Sequence, residues 1–216
     1  MAYQIPRRTF LKNCAAFGCA ATGTLFTASD TGGAAEPPLE GANIIGPREG
    51  FSPQVGTLVS MLTWMRGAVT GAVQGLTTKQ LDYLHDAKAN TIGALLLHLV
   101  ATERHYQSHT FDNRRWGDWD DETKRRWGVA GGLGVEARKT IKGNELAYYL
   151  TALEEARAKT VVELGKRGDD WLMQVDPGWP WGPTNNYCKW FHVCEHESHH
   201  NGQIKWLIGR LTRQGS

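Results

Sequence analysis

Four side chains at four-residue intervals, Cys188, His192, His196 and His200, fall in the run CKWFHVCEHESHHNGQI. On an α-helix, residues i and i+4 sit one turn apart on the same face. Each step of four turns the helix by about 400°, so the stripe drifts by only about 40° per step. Three imidazoles on successive turns of one face are hard to explain by packing. Imidazole is the commonest metal-ligating side chain, and a His pair at i, i+4 can close on one ion. Two ligands from one helix need a third from elsewhere. A facing helix of a bundle can supply it.

The rest of the chain supports a helical reading. Ser52-Pro53 offers an N-cap followed by Pro at the first helical position. Val55, Leu58, Val59, Leu62, Met65, Val69 and Val73 then recur at helical spacing, which predicts a helix over about 53–75. A short helical turn is predicted within 77–86. The Asn90-Thr91 pair caps a second long helix, 91–110, and Asn144 a third, 145–166. Asn185 or Asn186 opens the fourth, 187–212. Residues 111–143 alternate charges with Trp116, Trp119 and Trp127 and then cluster glycines, so they read as a long, partly ordered surface connection. No strand pattern of useful length is present. The expected fold is all-α, a four-helix bundle over residues 51–213, with a Pro- and Gly-rich flexible linker at 36–50.

The N-terminus has a different character. Arg7, Arg8 and Lys12 precede a weakly apolar run, Cys14 to Ala28, and small residues follow. That is the layout of a cleavable signal peptide. The segment RRTFLK resembles the twin-arginine (Tat) signal, with Pro6 where Ser or Thr is more usual. Residues 1–35 are the expected leader. Cleavage after Ala35 suits the small residues at 33 and 35, whereas Phe26 disfavours a cut after Ala28. Bulky Phe17 argues against lipidation at Cys19. The resemblance implies the Tat machinery as a partner and a periplasmic or otherwise extracytoplasmic location.

Composition narrows the function. Charged residues are 21% and hydrophobic ones 41%, which fits neither a disordered chain nor a multi-span membrane protein. A net charge of +2 gives no electrostatic case for nucleic acid. Cys188 and Cys194, about 9 Å apart along a helix, cannot form a disulfide and read as reduced thiols. Exposed apolar bundle faces leave a homodimer open.

The second predicted helix offers the facing ligand. His98 sits in LLLHLV, where an imidazole needs its ring nitrogens satisfied. TIGALLLHLVATE, followed about 95 residues later by EHESHHNGQI, resembles the DinB-like superfamily. The pattern is a His in the second helix, then H-x3-H and GQ in the last. Known members include bacterial thiol S-transferases and the mycothiol-dependent maleylpyruvate isomerase. The resemblance implies a four-helix bundle holding one divalent metal through His98, His196 and His200. Glu195 with His199 is an alternative pair on a neighbouring face; the GQ that follows favours His196 and His200. Gln203 is a candidate hydrogen-bond partner for a ligand. Glu103, His192 and Glu195 are candidate acid/base residues. His105 and His109 are candidates for the pocket rim. Trp179 and Trp181 are candidates to cover one end of the bundle.

Three protein ligands leave open positions, as at a catalytic metal. Nitrogen ligation suits Zn, Ni or Fe(II). Such an ion can make hydroxide for hydrolysis or hold a thiolate for transfer. Because low-molecular-weight thiols are mainly cytosolic, the export signal favours a metal-dependent hydrolase acting on a small molecule. Thiol S-transfer is the enzymatic alternative, and a non-catalytic metal-binding or interaction protein the other. A fourth protein ligand, with Cys188, His192 or Glu195 as candidates, would favour the last.

Overall fold

The computed structural model describes residue 41 and residues 43–211. The expected leader, 1–35, lies outside the described residues, as do 36–40 and 42 of the expected linker. Eight helices are present among the described residues: α1 (Pro53–Ala72), α2 (Thr78–Leu81), α3 (Ile92–Thr110), α4 (Asp121–Gly132), α5 (Gly134–Thr140), α6 (Leu146–Leu164), α7 (Asp169–Met173) and α8 (Asn186–Leu211). A two-residue antiparallel pair, β1 (Val175–Asp176) and β2 (Thr184–Asn185), precedes α8 and aligns Val175 with Asn185. The fold is all-α, and its four long helices are those expected from periodicity. None of the described helices is long and apolar enough to cross a membrane.

The helix ends show why the chain stops and starts where it does. Thr91 accepts the Ala94 N–H at 3.1 Å and opens α3. Asn185 accepts the Cys188 N–H at 2.8 Å and opens α8. Ser52 behaves differently from the expected cap. Its hydroxyl donates to Asp169 Oδ1 at 2.6 Å, and the same oxygen accepts the N–H groups of Gln54 and Val55. A carboxylate from α7 thus caps α1, where the helix dipole favours negative charge. Asn144 does not cap α6: Glu145 holds that position without a side-chain bond, and Asn144 donates to the Tyr149 hydroxyl. From the linker, Gly46 donates to Ser60 Oγ and Asn43 accepts from the Trp64 indole, so this stretch touches α1.

The connection at 111–143 is the main departure. It contains α4 and α5, and α4 packs on α3. Asp120 caps α4 by accepting the Thr123 N–H at 2.7 Å, and Asp121 and Glu122 fill its first turn. Ala130 and Ala137 are buried in the core, with Trp127 packed against them.

α3 lies centrally, against α4, α6 and α8, while α1 packs on α8. Gly93 permits the close approach of α6: a Cβ there would fall 2.5 Å from the Tyr149 hydroxyl. Apolar side chains form two clusters. One holds Val69, Leu95, Leu99, Leu153 and Ile204; the other holds Leu58, Leu62, Tyr106, Leu164, Trp190 and Val193. Between them, one charged residue from each long helix enters the core. Arg66 and Arg157 both bond Glu103 and Glu197, all four being at most 8% exposed. Arg157 also donates to the Leu62 carbonyl, and Thr160 to Glu103. Two cations face two anions, so the layer is neutral as a whole.

Removing one partner from such a network leaves a buried charge uncompensated. Glu103→Gln is expected to lower unfolding stability by about 3–5 kcal/mol in chemical denaturation. The arginines hold the Glu103 carboxyl down, from 4.5 to about 2. A carboxylate lowered in the folded state contributes fully above its unfolded pKa and loses that contribution as pH falls through the folded one. Wild-type stability should therefore drop between about pH 4.5 and pH 2, and the variant should show a flatter acid limb.

Candidate metal centre

α3 and α8 bring His98, His196 and His200 together. One ring nitrogen from each lies within 4.8 Å of the others, and among the described residues the cluster has these three members. His196 Nε2 is 2.9 Å from His98 Nε2. The His200 ring centre is 4.8 Å from that of His98 and 4.5 Å from that of His196.

The outer nitrogens explain which way the rings face. His98 Nδ1 donates to the Ala130 carbonyl of α4 at 2.9 Å. His200 Nδ1 donates to Gln203 Oε1 at 3.1 Å, and Gln203 Nε2 donates on to His199 Nε2 at 2.9 Å. With Nδ1 protonated in both rings, each Nε2 keeps its lone pair. Such outer bonds fix tautomer and orientation at imidazole metal sites. Burial also keeps the cluster neutral. It pushes His98 below the ordinary imidazole range, His196 to about 3 and His200 to about 4, and the neighbouring imidazoles push the last two the same way. Crowded neutral nitrogens with inward lone pairs are a donor set that fits one divalent cation.

A cavity of about 250 Å³ lies beside His196. Its walls include Thr102, Tyr106, Gly131, Trp179, Trp181 and His192. His192, the residue one turn before His196, takes part in a pair of its own: the Tyr106 hydroxyl is 2.7 Å from His192 Nδ1. Burial raises the Tyr106 phenol well above its usual range, so it stays protonated and has a proton to offer His192. His105 also lines this cavity and stacks on Trp119 with ring centres 4.5 Å apart.

The other sequence candidates are placed as follows. Glu103, read as a candidate acid/base group, is fully buried in the charged layer, held ionised by Arg66 and Arg157; it has no proton to donate and does not line the cavity. Glu195 and His199 are exposed, and the His199 ring is engaged by Gln203. Cys188 is exposed, and Cys194 contacts the Met61 carbonyl; both are free thiols. Trp179 is buried over Tyr106, while Trp181 remains exposed against His192. His109 is bound to Lys189 at 2.9 Å, outside the three-nitrogen cluster. Sequence reasoning missed Tyr106 and the Ala130 carbonyl, because both act through contacts between distant segments. The position of Tyr106, eight residues or about two turns after His98, carried a faint signal.

Comparison with known families gives one match. The mycothiol-S-transferase family matches residues 57–211, which span α1 to α8 and contain all three histidines. No individual curated protein matches the chain.

Two substitutions test the centre. His200→Ala should abolish stoichiometric binding of a divalent metal, read by elemental analysis. Gln203→Ala should leave the fold intact and weaken metal affinity by about 10–100-fold in calorimetric titration.

Proposed function

Because the chain belongs to the mycothiol-S-transferase family, and so to the DinB-like superfamily, we propose that it is a metal-dependent thiol S-transferase acting on small molecules. The observation that carries this reading is the group of three inward-facing imidazole nitrogens beside an aromatic-walled cavity. His98, His196 and His200 would hold one divalent ion, Zn, Ni or Fe(II). When bound, that ion supplies Lewis acidity, which lowers the pKa of a thiol or water brought to its open positions.

The chain's own residues do the rest. Ala130 and Gln203 hold the His98 and His200 rings in one tautomer, so their orientation costs nothing during turnover. Trp179 and Trp181 line the cavity beside His196 and offer aromatic faces to a small molecule held there. With the Tyr106 hydroxyl as donor to His192 Nδ1, 2.7 Å away, the His192 proton sits on Nε2. That N–H can bind a sulfur or oxygen carrying developing negative charge, while Tyr106 fixes its direction. In the transfer, the thiol loses its proton to solvent and the thiolate sulfur forms a bond to the electrophilic carbon, while the bond from that carbon to its leaving group breaks and the group departs with the electron pair, as chloride does from a chloronitrobenzene. The same centre could serve hydrolysis, the reading favoured by the export signal alone. The family match supports transfer better.

Export is a separate proposal and rests on the RRTFLK motif. If residues 1–35 direct the folded protein outward, its thiol must be available beyond the cytosolic membrane. A double Arg7→Lys, Arg8→Lys substitution should retain a reporter fusion in the cytosol; unchanged export would remove the twin-arginine reading.

The activity test uses the full chain, supplied with Zn, Ni or Fe(II), a small thiol such as N-acetylcysteine and an electrophilic chloronitrobenzene. Metal-dependent thioether formation is expected, lost in His196→Ala. Tyr106→Phe should lower kcat by about tenfold or more with metal content unchanged. Ester or amide cleavage without thiol consumption would overturn the transferase reading in favour of hydrolysis.

A further inference from the structure

A second, larger cavity of about 600 Å³ adjoins the first. It is built by the segment after α3 together with α7, the β1–β2 region and the start of α8. Trp116, Trp179 and Pro180 line both cavities and form the partition between them. The polar lining is unusual. Arg114, Arg115 and Lys189 face Asp176 as the one lining carboxylate. Asp176 is committed to Lys189, whose Nζ lies 2.9 Å from its Oδ2, 2.9 Å from His109 Nε2 and 4.7 Å from the centre of the Trp179 ring. Arg114 pairs with Asp120 at 3.0 Å. Counting that outer partner, three cations meet two carboxylates, and Arg115 is the cation left over. Its guanidinium has no carboxylate partner among the described residues.

Lys189 is only 2% exposed, so its charge sits in the wall rather than in solvent. With the Lys189 charge answered by Asp176, the unpaired Arg115 supplies the positive field that a bound anion meets in this cavity. The Trp179 indole N–H adds a further sign: it is buried and has no acceptor among the described residues. A donor in that state is the kind that a ligand oxygen can satisfy. Aromatic faces at Trp116, Trp171 and Trp179 offer contact area to a planar or apolar body.

We propose that this cavity binds the carboxylate end of an organic anion, with Arg115 as its charge partner, and that the remainder of the same small molecule passes the Trp116–Trp179 partition towards His196. The identity of that molecule as a transferase substrate rests on the reading above; the anion site does not. The substrate class is therefore an aryl or alkyl carboxylate, either as the electrophile or as the thiol.

Arg115 is exposed, so its substitution should leave the fold intact. Phenylacetate and its uncharged analogue phenylacetamide are the probes, titrated calorimetrically into the full chain at fixed ionic strength. Phenylacetate should bind, and phenylacetamide should bind about five- to tenfold more weakly. Arg115→Gln should remove that preference, Arg115→Glu should reverse it, and Arg115→Lys should restore it. The same preference should persist in metal-free His200→Ala protein. Equal binding of acid and amide, absence of phenylacetate binding, or an Arg115→Gln variant that retains the preference would each overturn the anion site. Loss of phenylacetate binding in His200→Ala would also overturn it, because the carboxylate would then be bound by the metal. Carboxylate preference without any thiol conjugation would sink the transferase reading and leave the anion site standing.

Discussion

The buried layer of Arg66, Glu103, Arg157 and Glu197 fixes how the long helices sit against one another. Each residue comes from a different helix, and each lies between the two apolar clusters along its own helix. Apolar packing tolerates sliding between helices. A set of four charges bonded at 2.6–2.8 Å between Arg66 and Glu103 and between Arg157 and both carboxylates does not, because any slip leaves a charge dry and unpaired. The candidate metal centre inherits this register. Glu103 lies five residues after His98 on α3, and Glu197 directly follows His196 on α8. The layer that locks Glu103 and Glu197 to the same arginines therefore also sets the height at which His98 meets His196 and His200.

The centre then depends on contacts from outside these two helices. α4 supplies the carbonyl that turns His98, and Gln203 turns His200 one further turn along α8. Burial depresses all three imidazoles, which keeps them neutral and able to bind a cation. The aromatic wall around Tyr106 and Trp179 gives the centre a pocket beside His196. The chain belongs to the mycothiol-S-transferase family, whose match runs from α1 to α8.

Much of this was legible in the sequence. The four long helices follow from apolar spacing, and the three histidines follow from an i, i+4 pair together with a His in an apolar run. Their family pattern then picked His196 and His200 over the Glu195–His199 pair. Helices α4 and α5 were not legible, because charges, tryptophans and glycines mask a periodicity that rests on Ala130 and Ala137. The charged layer was missed for another reason: Glu and Arg in a helix ordinarily read as solvated. A signal was nonetheless present. Arg66 is four residues after Leu62, Glu103 four after Leu99, Arg157 four after Leu153 and Glu197 four after Val193. Each charge is thus in phase with a core stripe. Lys189, Asp176 and His109 carry no comparable mark, since their association depends on how the loop before α8 folds back.

X-ray absorption at the metal edge of the metal-loaded full chain tests the central claim most directly. A centre held by His98, His196 and His200 should show the multiple-scattering signature of three imidazoles and no sulfur neighbour from the protein. A sulfur scatterer at about 2.3 Å in the absence of added thiol would mean that a cysteine is a ligand, and fewer than three imidazoles would contradict the three-histidine centre.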